Sequence, residues 1–560
     1  MSNKFTEEDK RRFNGSTEHV EDVNNKHKQF VDVDDKIVMA EGEEKVRSGG
    51  PPSAANRRRS LCTSSSSARR QPSQDLCLVR YETGIIGSVT VAVGNDLGGE
   101  PLSSTHKEVV TAMCTAGAFV TSIFAGALSD RIGRKWVLVI SDICYCIGTV
   151  ILTASYSVAQ AAVGRLVLGF GVGLSSCIGP LFISEISPPQ IRGTLVTINA
   201  VAITFGQVVS YGFGAALLHA PEGWRIMIVL GAIPAIYQAI AIHFLPESPR
   251  YLLARDRSEE AYSALARVYR KATQEELALK FDILVANVDA SVKISQHNTN
   301  WQLLKSLFVI SRNRRAIFLA MCLQATQQLC GWNGALYFAP TLFQQLGFEN
   351  GPSGGLVLAA ANMVATATGM FVVDRVGRRN LLVYVSLPAI VLACVWAIVS
   401  FLYLTENTGY HLVDNPITPY DSGRQVAVVI GLVAYASAYG CGLGHLPWCM
   451  NELFSLETRG IGAGIATATN WACNLVISES YLSMQEGITP SGTFGLFAGF
   501  VCCGWAYLVC CYPETSGMHL EDVQGLLADG YNVRKSVKVR KEKRKGIQSL
   551  KGTTVVDVEK

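Results

Sequence analysis

Charged residues are scarce in this chain, and most of them stand outside long apolar stretches. Only 17% of the 560 residues are charged, whereas 49% are hydrophobic. A helix needs roughly 20 apolar residues to cross a bilayer, and a segment inside hydrocarbon must satisfy its own backbone hydrogen bonds, which at these lengths excludes everything but a helix. The sequence therefore predicts an all-α membrane protein. Eleven stretches meet or approach the required length: 109–129, 136–160, 161–184, 194–220, 226–246, 316–348, 353–373, 380–405, 425–451, 460–478 and 487–513.

The chain also lacks a cysteine framework, metal-ligand spacing and a cleavable signal peptide. Its sixteen cysteines lie mostly within apolar runs, as at Cys502 and Cys503, and have no ligand-like spacing to histidine. Neither a disulfide scaffold nor a zinc site is predicted from such positions. Residues 1–74 are polar and have no apolar core segment, which argues against a signal peptide. No cofactor, metal or nucleic acid is expected, and the chain is not predicted to be an enzyme.

A short charged hairpin occurs twice. The chain reads Asp-Arg-Ile-Gly-Arg-Lys from Asp130 to Lys135 and Asp-Arg-Val-Gly-Arg-Arg from Asp374 to Arg379, and each half also has a glutamate seven residues before an Arg-Gly pair. Such a repeat in a hydrophobic chain predicts two six-helix halves. The charged groups are expected to join helix ends at the inner face as gate clusters. They are Asp130, Arg131, Arg134, Glu185, Arg192, Asp374, Arg375, Arg378, Glu452 and Arg459.

The placement of lysine and arginine predicts the orientation. The loops at 130–135 and 374–379 and the tail after residue 514 are basic, whereas the loops at 349–352 and 479–486 have no lysine or arginine. Because cytoplasmic loops carry an excess of these residues, the basic loops are assigned to the cytoplasm. Both termini are expected on that side.

The first helix is the weakest of the predicted spans. Only 13 residues, 83–95, are uncharged there, and a helix of that length covers about 20 Å of a bilayer core about 30 Å thick. The polar N-terminal tail can remain on the cytoplasmic side only if this segment crosses. A twelfth crossing is therefore expected, with its first half degraded and the first helix truncated.

The pattern of apolar and charged segments predicts five regions. They are a disordered cytoplasmic tail (1–74), a six-helix bundle (76–246), a cytoplasmic linker with short helices (247–315), a second six-helix bundle (316–513) and a basic cytoplasmic tail (514–560).

The basic tail contains eight lysines and arginines between Arg534 and Lys545. This concentration of positive charge predicts attraction to anionic membrane lipid.

Over residues 81 to 525 the chain resembles the sugar porter family of the major facilitator superfamily. The stretch from Gly444 to Phe454 and the run 466–474 are most similar to fungal myo-inositol/proton symporters. The resemblance implies the major facilitator fold with 12 transmembrane helices and a multi-pass protein of the plasma membrane. The matching motifs are Gly164-Arg165, Pro246-Glu247-Ser248-Pro249-Arg250, Gln327-Gln328-Leu329-Cys330-Gly331-Trp332-Asn333 and Pro513-Glu514-Thr515.

The seventh span has three amides within two helical turns, Gln327, Gln328 and Asn333. A polyol presents hydroxyls that are both donors and acceptors, so a site for it needs neutral amides rather than fixed charges. The alternative is that these amides only join helices. In sugar porters the matching residues hold substrate hydroxyls. The resemblance adds Asn362, Trp448, Asn470, Trp471 and Asn199, the last standing before Ala200 where glucose carriers place a glutamine.

Glu82 is the candidate for proton coupling. In family symporters an aspartate within Tyr-Asp-Thr-Gly pairs with the arginine that matches Arg165, and this chain has Tyr81-Glu82-Thr83-Gly84 at that place. A carboxyl group that faces an arginine stays ionised until its partner moves away. The resemblance therefore implies proton coupling through Glu82 and Arg165. The alternative is an exposed carboxylate at the frayed start of a broken helix.

Bends are predicted where glycine and proline interrupt two spans. They lie at Gly331 and Pro340 in the seventh span and at Pro447, with the glycines before it, in the tenth. The favoured function is secondary active transport of a polyol or sugar, foremost myo-inositol/proton symport, by rocking of the two halves. A hexose facilitator or symporter, a sensor that binds without transporting, and a defective gene model lacking half of the first helix stay open.

Overall fold

The computed structural model describes residues 72–186, 189–269, 273–297, 300–406, 410–412, 420–455, 458–516, 518 and 520–542. Side chains are described for these residues except at 72–80, 83, 184, 189–199, 287, 290–297, 300, 374 and 520–522. Within these ranges the chain is helical and has no strand. It divides into two compact units, of which the smaller includes Pro246–Gln302 and the larger contains the remaining described residues.

Six long helices form the first half of the larger unit. The first has 21 residues, about 32 Å at 1.5 Å per residue, which is enough to cross a bilayer core. It extends well before the uncharged stretch, so this helix lacks apolar character rather than length. The six helices are α1 (Pro72–Ala92), α2 (Ser104–Ile132), α3 (Arg134–Thr153), α4 (Val158–Ile186), α5 (Pro189–Leu217) and α6 (Gly223–Ala241).

The smaller unit contains helices of the linker, for which the sequence predicts short helices. They are α7 (Pro249–Leu253), α8 (Ser258–Val268) and α9 (Gln274–His297). Leu252 and Ala264 belong to its buried apolar cluster, against which Phe281 packs. This cluster gives the linker a small core of its own.

The second half of the larger unit contains longer helices and several interruptions. Its helices are α10 (Asn300–Val309), α11 (Ser311–Leu329), α12 (Trp332–Tyr337), α13 (Ala339–Gln345), α14 (Gly351–Val376), α15 (Arg378–Asn380), α16 (Leu387–Leu404), α17 (Ser422–Ala438), α18 (Arg459–Cys511) and α19 (Leu520–Ala528). Two π-helical turns (Leu381–Ser386 and Tyr439–Leu443) and a 3₁₀ segment (Leu446–Leu453) lie between them.

Twelve crossings can be counted along this unit. Within the described residues, nine helical stretches are long and apolar enough to span a membrane. The 53-residue α18 is bent at Thr489, which has non-helical dihedral angles, and therefore supplies two crossings. The remaining two are α1 and the broken span formed by α11, α12 and α13.

The breaks in the seventh and tenth spans lie at the predicted positions. Gly331 has φ of +84° and separates α11 from α12, a backbone conformation that favours glycine. Pro340 stands in the first turn of α13. In the tenth span α17 gives way to the π-helical turn at Tyr439, and Pro447 lies in the first turn of the 3₁₀ segment. The predicted bends are confirmed.

Close backbone contacts define how the helices pack. A Cβ atom on Gly117 of α2 would overlap the carbonyl oxygen of Leu166 on α4, and one on Gly169 of α4 would overlap that of Cys114 on α2. Small residues allow such approach in membranes, where packing rather than the hydrophobic effect drives association. The two halves meet mainly along α2 with α18 and α5 with α14. These pairs therefore carry the contacts that must change if the halves rock.

We expect Gly117→Val to destabilise the protein. The added methyl groups would displace the α4 backbone, and overpacking of this kind costs about 1–3 kcal/mol. Gly126→Val on the same helix is the matched control, because no described atom lies within 4 Å of a Cβ atom placed there. Thermal unfolding of the detergent-solubilised variants should give a melting temperature several degrees lower for the first only. Equal melting temperatures would contradict the α2–α4 contact.

Candidate functional site

A buried ion pair joins α1 to α4. Arg165 donates through Nη1 to Oε2 of Glu82, and Tyr145 on α3 donates its hydroxyl to the other carboxylate oxygen at 3.1 Å. The side chains of Glu82 and Arg165 are only 1% and 3% exposed. Arg165 Nε also donates to the Val110 carbonyl on α2 at 3.3 Å. Glu82 is thus paired within the protein rather than exposed at a frayed helix start.

Two glycines bring this part of α1 against neighbouring spans. A Cβ atom on Gly84 would overlap the Ser210 hydroxyl on α5, and one on Gly87 would overlap the Tyr337 carbonyl oxygen and crowd Pro340. Because only glycine fits these close approaches, α1 packs directly on the break between α12 and α13. The helix α1 therefore carries Glu82 of the ion pair and also contacts the broken seventh span.

The amides of α11 form a hydrogen-bonded cluster with α18. Asn470 Nδ2 donates to Gln324 Oε1 at 2.6 Å and to Gln327 Oε1 at 2.8 Å. Gln328 Nε2 donates to Asn470 Oδ1 at 3.0 Å, and Asn333 Nδ2 donates to Gln328 Oε1 at 2.6 Å. All five side chains are buried. The structure therefore brings four of the predicted substrate contacts into one place, with Gln324 as an additional member.

The cluster also binds the break in the tenth span. Gln327 Nε2 donates to the Leu443 carbonyl at 3.1 Å and to the Gly444 carbonyl at 2.8 Å. Gln324 Nε2 contacts the Pro447 carbonyl at 3.4 Å. Backbone carbonyls are free to accept there because the regular helix has ended. Part of the amide cluster thus joins helices, as the alternative interpretation held.

Two amide oxygens of the site have no hydrogen-bond partner among the described residues. These are Oδ1 of Asn333 and Oδ1 of Asn362, and both residues are buried. The amide nitrogen of Asn362 on α14 donates to Gln207 Oε1 on α5 at 3.4 Å, so only its amide oxygen lacks a described partner. Buried acceptors without a partner are rare in proteins. Each of the two can accept a bond from a ligand hydroxyl.

A small cavity lies beside Arg165 of the ion pair, where the two halves meet. Its volume is about 10 Å³, room for about one water molecule. Trp471 donates from Nε1 to the Ser176 hydroxyl on α4 at 3.2 Å, and the Tyr337 hydroxyl accepts from Asn474 Nδ2 at 3.1 Å. The site is therefore closed in this conformation. The cavity is lined by Thr111, Cys114, Thr115, Arg165, Val172, Tyr337 and Trp471.

Several polar residues of this region were not predicted from the sequence. Gln324 lies one helical turn before Gln328, and Asn474 lies one turn after Asn470, so the 3.6-residue period could have indicated both. Gln207 and Tyr145 carry no such signal. Trp448 is half-buried in the 3₁₀ segment, and the described contacts do not include its side chain in the amide cluster. The side chain of Asn199 lies outside the described residues.

Charge clusters occupy the end of the bundle that carries the two hairpins, here called the basic end. In the first half Arg134 contacts Asp130 and Glu185, each at 3.2 Å. Arg131 is exposed at the end of α2. The side chain of Arg192 lies outside the described residues. The first hairpin thus ties the ends of α2, α3 and α4.

The matching cluster in the second half has additional members. Arg378 pairs with Glu452, and its backbone N–H donates to Glu514 Oε1 at 3.1 Å. Arg540, in the helical segment 533–542, lies 3.4 Å from Glu514 Oε2 and also donates to the Arg375 carbonyl at 3.4 Å. Glu514 and Arg540 were not predicted as cluster members. Arg459 donates to the Phe454 carbonyl at 3.5 Å, and Asp374 lies outside the described side chains.

Comparison with known proteins gives consistent matches. The family model for sugar (and other) transporters matches residues 73–527. The chain is 42% identical over 466 residues to myo-inositol transporter 1 of Cryptococcus neoformans, covering 83% of this chain and 82% of the relative. It is 38% identical over 467 residues to myo-inositol transporter 1 of Saccharomyces cerevisiae, covering 83% and 80%.

A solved structure with the same architecture is the proton:xylose symporter XylE bound to 6-bromo-6-deoxy-D-glucose. It matches with a TM-score of 0.68 at 22% identity and covers 82% of this chain and 98% of the XylE chain. At this identity the likeness concerns the fold. The predicted major facilitator fold is confirmed.

We expect Arg165→Met to destabilise the protein strongly, because it leaves the buried Glu82 carboxylate without its cation. Breaking a buried pair from one side costs about 3–5 kcal/mol, whereas replacing both partners by neutral groups can be nearly neutral. The double variant Glu82→Gln/Arg165→Met should therefore melt at a higher temperature than Arg165→Met alone. Thermal unfolding in detergent measures both. A double variant no more stable than the single one would refute the pair's energetic role.

Proposed function

Since the chain belongs to the sugar transporter family of the major facilitator superfamily, we propose that it carries myo-inositol together with a proton by alternating access. The observation that carries the proposal is that a buried ion pair and a buried amide cluster lie on helices in direct contact: α1 holds Glu82 and packs on the broken seventh span. The ion pair suits proton binding, and the amide cluster suits a ring of hydroxyls. The contact between α1 and the seventh span provides a physical route for coupling.

The amide cluster supports a polyol as substrate. In the closed conformation Gln328 and Asn470 bond to one another, and Asn333 bonds to Gln328. A hydroxyl is both donor and acceptor, so a ring of hydroxyls can replace amide–amide bonds without leaving either amide atom unpaired. The unpaired oxygens of Asn333 and Asn362 offer two further acceptors. We assign Gln207 and Gln324 to the same site as Gln327 and Asn470.

Aromatic groups complete the proposed site. Trp471 and Tyr337 line the cavity, and an aromatic face suits the C–H side of a polyol ring. Trp448 and Asn199 are proposed as contacts in the open conformation. The names of the two fungal relatives specify myo-inositol, and at 38–42% identity this favours the same substrate here.

The ion pair supports proton coupling. Glu82 is paired with Arg165 while the site is closed, and a buried carboxylate in a membrane protein is costly without such a partner. When α1 and α4 separate, protonation removes the charge that would otherwise remain unpaired. Binding of a proton and opening of the site then depend on one another. The XylE neighbour, which is named a proton symporter, supports this assignment through its shared fold only.

The charge clusters support gating at the basic end. Arg134 and Arg378 occupy equivalent positions in the two halves, and each joins a hairpin to a glutamate of the same half. We propose that this end faces the cytoplasm, because lysine and arginine concentrate there, and that both termini lie on that side. A plasma-membrane location and contact of the basic tail with anionic lipid complete the proposal.

Gln328→Ala is expected to raise the KM for myo-inositol about tenfold with little loss of expression, since one lost hydrogen bond is worth about 1–1.5 kcal/mol. Gln344→Ala is the control, because Gln344 is an exposed amide on α13 of the same span. Labelled myo-inositol uptake in cells without endogenous carriers measures both. Competition by a panel of hexoses and polyols tests the substrate, and equally strong competition by D-glucose would count against a polyol site.

Glu82→Gln is expected to abolish proton-driven accumulation while preserving exchange of substrate per molecule of folded protein. The variant loses one charge of the buried pair and therefore some stability, but its amide oxygen can still accept from Arg165. In the parent protein, uptake should increase as the external pH falls, because protons bind from outside; in the variant this response should vanish. Counterflow of labelled myo-inositol against unlabelled substrate should persist, since it needs no net proton movement. Glu349→Gln, an exposed carboxyl in a loop, serves as the control. Accumulation with an unchanged pH response in Glu82→Gln would exclude Glu82 as the proton carrier.

A further inference from the structure

A second buried carboxylate joins the two halves at the end opposite the basic end. Glu108 lies near the start of α2 and is 2% exposed. Its Oε1 accepts from the backbone N–H of Ser483 at 2.9 Å, and its Oε2 accepts from the Ser483 hydroxyl at 2.6 Å. Ser483 belongs to α18, in the other half, so both bonds cross the interface that must change during rocking.

Both oxygens of the carboxylate are matched by one residue. Hydrogen bonds to an ionised acceptor are roughly twice as strong as neutral ones, and a burial as complete as that of Glu108 is tolerable only when such bonds are made. Ser483 itself is exposed. The contact therefore lies at the rim of the interface, where water can reach both groups as soon as they part.

This arrangement suits a contact that forms and breaks in each cycle. With the halves together, Ser483 satisfies the carboxylate; with the halves apart, water does the same. Neither state leaves an unpaired buried charge, so the free-energy difference between them stays small. An apolar contact of similar size would instead expose hydrophobic surface whenever it opened.

The contact and the cavity lie near each other along α2. Two residues after Glu108, the Val110 carbonyl accepts from Arg165 of the ion pair at 3.3 Å. Six residues after Glu108, Cys114 lines the cavity. A movement of α2 that separates Glu108 from Ser483 thus displaces both a partner of Arg165 and a wall of the cavity.

We propose that Glu108 and Ser483 form the latch that closes the central cavity toward the end opposite the basic end, and that the latch must open to admit substrate. The proposal rests on the proposed transport function for its direction. A second bond at this end, from the Ser104 hydroxyl to Glu486, involves an exposed carboxylate and is assigned a minor role.

The native Cys114 provides the reporter. Intact cells expressing the full chain are exposed to a membrane-impermeant maleimide, and the labelling rate is measured without substrate. The same measurement in the Cys114→Ala background is subtracted, which removes the signal of the other cysteines. The variants are Glu108→Ala, Glu108→Gln, Ser483→Ala, the double alanine variant and Glu349→Ala. Glu349 is an exposed carboxylate in the loop before α14 and is the control.

We expect Glu108→Ala to increase the labelling rate of Cys114 by at least roughly tenfold, because both hydrogen bonds to Ser483 are lost and one bond to a charged group already corresponds to about that factor. Ser483→Ala should have a smaller effect because the backbone bond remains, and the double variant should equal Glu108→Ala. Glu108→Gln should fall between the parent and Glu108→Ala, since an amide can still accept from the N–H. Glu349→Ala should match the parent.

Unchanged labelling in Glu108→Ala and Glu108→Gln, with both variants eluting as folded protein, would overturn the latch. So would an equal increase in Glu349→Ala, which would indicate a general effect of charge. Because labelling requires no substrate, a failure to transport myo-inositol leaves this result intact. Repeating the labelling on inside-out vesicles tests the assigned orientation. If the orientation is wrong, the increase in labelling rate will occur in the vesicles and not in intact cells.

Discussion

Hydrocarbon supplies no water to an amide or a carboxylate, so each polar group buried in this bundle has to be matched by another group of the protein or by its ligand. This constraint governs the arrangement of the site. Glu82 is matched by Arg165 and Tyr145. The amides of α11 are matched by Asn470 and by carbonyls that the break in the tenth span sets free. The breaks are thus needed for the site, and the site in turn stabilises the breaks.

The same constraint explains how a closed site can open at moderate cost. Amide–amide bonds and carboxylate–hydroxyl bonds can be exchanged one for one with bonds to water or to a polyol. A packed apolar core cannot make that exchange, and the stacked rings of Phe338, Tyr481 and Phe497 all belong to the second half. Near the cavity the halves meet through polar contacts, such as that between Trp471 and Ser176, and through an apolar cluster that joins Trp471 to residues of the first half.

The fold could be predicted from the sequence because its signals are long and repeated. Apolar runs, two copies of one hairpin, and glycine or proline at two breaks each specify a structural feature independently. For the site, the pair of Glu82 and Arg165 and the amides Gln327, Gln328, Asn333 and Asn470 could be named from motifs. Tyr145, Gln207 and Glu108 could not, because their roles depend on which helices pack together. No periodicity within one helix records a partner that is 63 or 375 residues away in the chain.

The first helix shows how these requirements act on one element. Its uncharged part was too short for a span, yet α1 continues back to Pro72. The charge of Glu82 does not argue against a membrane crossing, because Arg165 compensates it inside the bundle. Glycines 84 and 87 do not argue against a helix, because α5 and the break after Tyr337 approach them too closely for any side chain. Hydropathy underestimates such a helix because it measures affinity for lipid, whereas this stretch of α1 is surrounded by protein. A polar first helix is therefore compatible with a working carrier, since the residues that reduce its hydropathy are those buried at the ion pair and against the seventh span.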